Sequence, residues 1–196
     1  MLNSQQEAAA AADTGFTLIL AGAGTGKTTT LVEKVRNVIQ SGIAQPDRIM
    51  LLTFSRAAAE EMKRRIAADV PSADALTAGT FHSVALSILR AFGEEWKQMR
   101  NFKGNPSVID EEKQREVLFS LAAGRIGDFL GLPLDTIVWL CTTFNRKRGA
   151  SLRGYSLVQD ALADLLCGYE DYKSAHSLAD FGDLIRDCCR LMREFP

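Results

Sequence analysis

The sequence predicts an α/β fold, a parallel sheet with helices packed on its faces, followed by a largely helical segment. Short apolar runs at Phe16–Leu20, Ile49–Phe54 and Ala75–Thr80 have the length of strands, and each is followed by a helical period. The break between run and helix is in each case glycine-rich, polar or aromatic. Strands alternating with helices imply parallel pairing, since each helix serves as the crossover that returns the chain to the same end of the sheet.

The first break is the most informative. Phe16–Leu20 leads into Ala21, Gly22, Ala23, Gly24, Thr25, Gly26, Lys27 and Thr28, and a helical pattern begins at Lys27. Gly22, Gly24 and Gly26 permit a tight turn that brings consecutive backbone N–H groups against a polyphosphate, and the positive end of the following helix adds to them. Lys27 would reach the β- and γ-phosphates. The hydroxyl of Thr28, on the first helical turn, suits Mg²⁺, a hard cation that shares oxygen ligands with phosphate. Ala21 stands where the strict pattern has glycine, ahead of the part of the loop that must approach the phosphate. The plainer alternative is an ordinary glycine-rich turn with a surface lysine; the strand before and the helix after favour nucleotide binding.

Upstream, Asn3 or Ser4 can cap a helix over Gln5 to Ala12 that ends near Asp13-Thr14-Gly15. Gln6 lies in it, with the donor and acceptor needed to read the amine and ring nitrogen of adenine, although such a glutamine by itself reads equally as a solvated helix residue. After the loop, Leu31, Val32, Val35, Val38 and Ile39 recur at helical spacing up to Ser41-Gly42. Ile49–Phe54 is the second strand, and Ser55 to Val70 returns to helix with Met62, Ile66 and Val70 on one face. Ala75–Thr80 leads through Phe81-His82-Ser83 into a helix with Val84, Ile88 and Leu89 on its apolar side. Ligands of open α/β sheets bind at the carboxyl ends of strands, so these segments should share a rim with the phosphate loop. Phe54 and Phe81 could stack on bases there, with Ser55, Arg56, Thr80 and His82 on phosphate or sugar. Core packing is the bland reading for each phenylalanine, and a structural role the bland reading for His82.

Past Phe92 the composition changes. Gly93 to Pro106 reads as polar and irregular, Ser107–Ile109 as a brief extended piece, and Asp110 as the cap of a helix through Ala123. Helices are expected over Leu134–Asn145, Leu157–Tyr172 and Ala179–Phe195; the last has apolar residues at three-and-four spacing from Phe181 to Phe195. The basic clusters Lys63-Arg64-Arg65 and Arg146-Lys147-Arg148 lie near predicted helix C-termini, the second ahead of Gly149 as a cap, and read as solvated faces. The 196 residues carry 23 basic and 24 acidic side chains, so no global positive field announces nucleic acid, though a local groove remains open. No apolar run approaches the ~20 residues of a membrane span and no basic-then-apolar leader opens the chain, which reads as cytoplasmic. Cys141, Cys167, Cys188 and Cys189 have no metal-like spacing and read as reduced thiols serving as small apolar residues.

In order and spacing, these elements resemble the N-terminal part of UvrD/Rep-type superfamily 1 DNA helicases over nearly the whole chain. Leu2-Asn3-Ser4-Gln5-Gln6 resembles that family's adenine-reading Q motif, and Ala21 to Thr28 its phosphate loop. Thr53 to Arg56, with Ala58-Ala59 and Glu61-Met62, is similar to its single-strand-binding segment TFTNKAAxEM, and Gly79 to Ser83 to its GTFHS segment. Val108-Ile109-Asp110 and Asp180 to Leu184 are similar to the landmarks that open and close its helical 1B insertion. Ser55, Arg56 and Ala57 depart from the commoner Thr, Asn and Lys, which moves the positive charge by one position.

The resemblance implies a RecA-like P-loop NTPase sheet with a helical insertion subdomain. Residues 1–92 plus 177–196 would form a partial ATP-binding domain 1A, and 93–176 domain 1B. Gln6 and Ala21 to Thr29, Thr29 included, would bind ATP, with Lys27 and Thr28 catalytic and Thr28 on Mg²⁺. Phe54, Ser55, Arg56, Thr80, Phe81 and His82 would bind DNA. The partners implied are single-stranded DNA and single-strand/duplex junctions, together with domains 2A and 2B of a full-length 3′ to 5′ helicase. The family's acidic, water-activating segment would follow Pro196, so these 196 residues are expected to hold an incomplete sheet, to hydrolyse ATP negligibly, and to leave an apolar sheet edge open to dimer pairing. Two other classes remain at this stage: a different phosphate-loop phosphotransferase, and a non-catalytic nucleotide- or DNA-binding module.

Overall fold

A computed structural model describes residues 2–12, 15–22, 24–146 and 158–195. The chain divides into two units, Met1–Val84 and Ala85–Pro196, with the boundary inside helix α4 (Phe81–Ala91).

The first unit holds α1 (Ser4–Ala11), α2 (Lys27–Gln40), β1 (Met50–Thr53), α3 (Arg56–Ala67), β2 (Thr77–Thr80) and the start of α4. β1 and β2 pair in parallel, from Met50 opposite Thr77 to Thr53 opposite Thr80, with α3 as the crossover between them. Val32 and Val35 of α2, Met62 and Ile66 of α3, Leu51 of β1 and Leu76 form the core. The spacing of three and four puts each helix pair on one face, and each such side chain contributes about 1.5–3 kcal/mol by leaving water.

Two sequence expectations are corrected here. Phe16–Leu20 has no regular secondary structure and no ladder partner among the described residues, and Phe16, Leu18 and Leu20 are exposed at 110%, 80% and 85%. An apolar run reports only a capacity for burial; a strand also needs a neighbour, and the described strands of this unit pair with each other. The third strand is shorter than predicted, since Pro71–Ala75 forms a 3₁₀ turn that tucks Ala73 into the core.

The second unit contains α5 (Gly93–Arg100), β3 (Ser107–Val108), α6 (Glu111–Ala123), α7 (Leu134–Arg146), α8 (Gln159–Ala175), β4 (Leu178–Ala179) and α9 (Phe181–Glu194). Leu118, Ile137, Leu140, Leu162, Leu165 and Phe129 pack α6, α7 and α8 around one core. Ala85 and Leu89 of α4, Trp96 of α5 and Leu184, Cys188 and Leu191 of α9 form another. β3 pairs in parallel with β4.

The helix α5 occupies a stretch the sequence reads as irregular. Its apolar signal is little more than the buried Trp96; Glu94 and Glu95 in the first turn and Lys97 and Arg100 in the last complement the helix dipole. Helix α9 starts two residues later than predicted, because Ala179 belongs to β4 and Asp180 caps the helix in a reciprocal box with Asp183. The predicted cap Gly149, the basic residues Lys147 and Arg148, and Leu157 at the start of the next predicted helix lie outside the described residues. Of the cysteines, Cys141 and Cys188 are buried as small apolar residues, whereas Cys167 and Cys189 are exposed. Burial pushes the Cys141 thiol up to about 12. No helix among the described residues is long and apolar enough to cross a membrane.

Beside the second core lies a buried charge network. Lys173, fully buried, donates to Asp180 at 3.0 Å and Asp183 at 2.6 Å, and Tyr169 and Gln114 donate to Asp180 as well. Arg100 approaches Asp183, Asp187 and Glu170 at 3.3–3.5 Å, and the Trp96 indole donates to Asp187. Burial works to raise the carboxyls of Asp180 and Glu170, but the Lys173 charge outweighs it together with the hydrogen bonds to Asp180 and the Arg186 and Arg100 charges near Glu170, and both are held below the usual range. Asp183 goes the other way, raised by burial and by the neighbouring Asp180.

Removing the cation strands several buried carboxylates. Lys173→Met should cost about 3–5 kcal/mol in denaturant unfolding of the second unit. The folded pKa values of Asp180 and Glu170 lie below their unfolded ones, so their stabilisation is present above about pH 4 and lost as pH falls through the folded values. Without Lys173 those values rise, and the midpoint of acid unfolding followed by circular dichroism should move to higher pH.

Candidate nucleotide and nucleic-acid site

The start of α2 is built for an anion. Gly26 is its N-cap in a left-handed conformation at φ +88°, and no side chain caps the helix. The first intrahelical bond is Thr30 N–H to Gly26 C=O, so the N–H groups of Lys27, Thr28 and Thr29 have no partner within the helix. Gly24 also sits at positive φ, +73°, where any other residue would be strained. Lys27, Thr28 and Thr29 are exposed, whereas Thr30 is buried and bonds back to Gly26.

Side chains hold the carbonyls of this loop. The Lys27 ammonium donates to Ala21 and Gly22 at 2.8 and 2.5 Å, Thr25 donates to Gly22, and the Gln6 amide donates to Thr25 at 2.9 Å. Gln6 also accepts from the Asn3 N–H at 2.9 Å, closing a capping box at the start of α1. The sequence signal for that box, a cap residue followed three positions later by glutamine, was available in Asn3 and Gln6. Gln6, Leu20, Ala21, Thr25 and Lys27 line one cleft of ≈ 470 Å³, a volume ordinary for a small-molecule site. Ala23 lies outside the described residues.

The donor set fits a nucleoside triphosphate with Mg²⁺: N–H groups with no partner within the helix, one ammonium and the exposed Thr28 hydroxyl as a metal ligand. Among the described residues no cluster of acids, histidines and cysteines forms a metal cage.

A second group forms at the carboxyl ends of β1 and β2, where Thr53 and Thr80 lie opposite each other. Phe54 is 98% exposed and Phe81 49%, with ring centroids 6.5 Å apart, so neither is packed in the core. Ser55 caps α3 by accepting from the Ala58 N–H, while Arg56 and His82 are exposed. Thr80 and Ser83 bond reciprocally at the start of α4. That pairing needs Gly79, where a Cβ would come within 2.6 Å of the Ser83 oxygen. Of the basic cluster on α3, Arg64 and Arg65 both bond Glu61 and Lys63 bonds the Asp74 carbonyl.

The family model of the UvrD/REP helicase N-terminal domain matches residues 2–196. The chain belongs to this family. A phosphate-loop NTPase fold follows, and the two short parallel sheets are consistent with an incomplete sheet. A probable DNA helicase of Mycoplasma pneumoniae is 30% identical over 98% of this chain and 37% of its own length. The ATP-dependent DNA helicase PcrA of Leuconostoc citreum is 29% identical over 100% of this chain and 26% of its own. DNA helicase II of Rickettsia typhi is 45% identical over 45% of this chain. The chain thus spans between about a quarter and two fifths of the first and second of these relatives.

The two left-handed glycines of the phosphate loop of this UvrD/REP domain should respond differently to a methyl group. At Gly24 a Cβ meets nothing within 4 Å, so Gly24→Ala should cost only the left-handed penalty of about 1–2 kcal/mol. At Gly26 the Cβ would lie 2.8 Å from Gln6 Nε2, so Gly26→Ala should lower the thermal midpoint further and release Gln6 from Thr25.

Proposed function

We propose that these residues form the ATP- and single-stranded-DNA-binding part of an ATP-dependent DNA helicase. The uncapped start of α2, with Lys27 and Gln6 on one cleft, carries the reading. Gln6 and residues 21–29 take the nucleotide, with Gln6 on adenine, the loop N–H groups and Lys27 on the phosphates, and Thr28 on Mg²⁺. The bound metal supplies charge neutralisation at the phosphate oxygens. Lys27 trades its two neutral loop carbonyls for anionic phosphate oxygens, which pairs opposite charges across the contact.

Phe54 and Phe81 form a stacking platform for unpaired bases, with Ser55, Arg56, Thr80 and His82 toward the backbone. Both rings are exposed and adjacent, and the relatives named as helicases support DNA as the ligand. Residues 1–92 plus 177–196 are assigned to domain 1A and 93–176 to a helical insertion, 1B. The packing of Ala85 and Leu89 against Leu184, Cys188 and Leu191 supports joining the last helix to the earlier segment. We further assign 3′ to 5′ translocation, junction DNA as substrate, domains 2A and 2B as partners in a longer chain, and a cytoplasmic setting. The exposed stretch Phe16–Leu20 is where a further strand, or a second copy, would pair.

Phosphoryl transfer depends on placed charge and an oriented water, and the resemblance locates those groups after residue 196. ATP turnover, with and without single-stranded DNA, should therefore be negligible for the 196 residues and DNA-stimulated when the reading frame is continued. Lys27→Ala should abolish it. Turnover by the 196 residues alone would place the water-activating acid among those present and refute the expectation that it follows residue 196. Phe54→Ala should weaken binding of an unlabelled oligothymidine by roughly 1–3 kcal/mol without moving the thermal midpoint.

A further inference from the structure

The base-reading role given to Gln6 leaves half of its amide unused. Gln6 Oε1 accepts from the Asn3 N–H and Nε2 donates to the Thr25 carbonyl, both at 2.9 Å. The reverse orientation would set donor against donor and acceptor against acceptor, so the two bonds fix the amide. One hydrogen on Nε2 and one lone pair on Oε1 remain, the pair that adenine requires. Gln6 can therefore read a base without releasing the loop.

What it holds in the loop is a particular peptide unit. In a trans peptide the carbonyl and the following N–H point in opposite directions. Drawing the Thr25 carbonyl toward Gln6 turns the Gly26 N–H away from it. That N–H belongs to the run of donors that opens α2. The contact is close as well, since a Cβ on Gly26 would lie 2.8 Å from Gln6 Nε2. Among the carbonyl contacts, those of Lys27 with Ala21 and Gly22 must yield when phosphate arrives, whereas that of Gln6 with Thr25 need not.

We propose that Gln6 is a positioning residue for the phosphate loop, anchoring the Thr25–Gly26 peptide to α1 so that it sets affinity for the polyphosphate chain independently of the base. The inference rests on the nucleotide-binding reading above and deepens it. Inorganic tripolyphosphate with Mg²⁺ separates the two roles because it has no base. In calorimetric titration of the 196-residue chain, Gln6→Met should weaken tripolyphosphate binding about 5- to 10-fold, the effect of one neutral hydrogen bond, while the circular-dichroism melt stays cooperative. If tripolyphosphate affinity stays within about twofold while ATP affinity falls, Gln6 reads the base only and the inference is overturned, with nucleotide binding intact. If the unaltered chain binds neither ligand, the nucleotide reading itself fails and takes the inference with it.

A second variant covers the case in which Gln6→Met does not fold. Gln6→Glu keeps an acceptor for the Asn3 N–H, and so the start of α1, but offers no donor to Thr25. Hydrogen exchange of the buried Thr30 amide, which is bonded to the Gly26 carbonyl and so reports release of that residue, should quicken about 5- to 10-fold in Gln6→Glu without ligand. Unchanged exchange there overturns the inference.

Discussion

The beginning of α2 must keep its N–H groups available, and much of the first unit follows from that constraint. A helix start without a side-chain cap is a cost in an ordinary domain, because the first N–H groups lose partners that a serine or aspartate would supply. Here Gly26 occupies the cap position and contributes no side chain. The loop's shape is kept instead through its carbonyls, by Thr25 on Gly22 and by Gln6 on Thr25. Helix α1 is thereby part of the site rather than a decoration ahead of it, and its own capping box is what steadies Gln6.

The second unit solves a different problem. Three aspartates on or just before α9 are nearly fully buried, and burial alone would drive each toward its neutral form. Lys173 and Arg100 are buried with them, and the Trp96, Tyr169 and Gln114 donors occupy remaining lone pairs. Such a network is weak evidence for stability, since well-packed apolar residues could serve as well. It does fix geometry: charges on α5, α8 and α9 meet in one arrangement, beside the short β3–β4 ladder that joins residues about 70 apart in sequence.

How legible all this is in the sequence varies by residue. Local chemistry reads well. Gly24 and Gly26 stand where left-handed backbone is needed, Asp110 caps the helix it precedes, and Asn3 does the same for α1. The parallel pairing of β1 with β2 follows from the helix between them. Three features read poorly. Phe16–Leu20 has the composition of a buried strand, yet pairing depends on a neighbour, which composition does not report. Helix α5 is held by Trp96 reaching α9, a contact across 91 positions. Phe54 and Phe81 read as core by residue type, and only their placement at the strand ends exposes them side by side.

The sequence by itself determined the family, the phosphate loop and the starts of helices such as α1, α2 and α6, because those are properties of neighbours within about four positions, where backbone sterics and capping act. Tertiary structure alone decided that Gln6 bonds Thr25, that Lys173 meets two aspartates, and that β3 pairs with β4. Hydrogen bonds and buried ion pairs require approach within about 3 Å, and which distant groups come that close is settled by packing of the whole unit rather than by any segment's own preference.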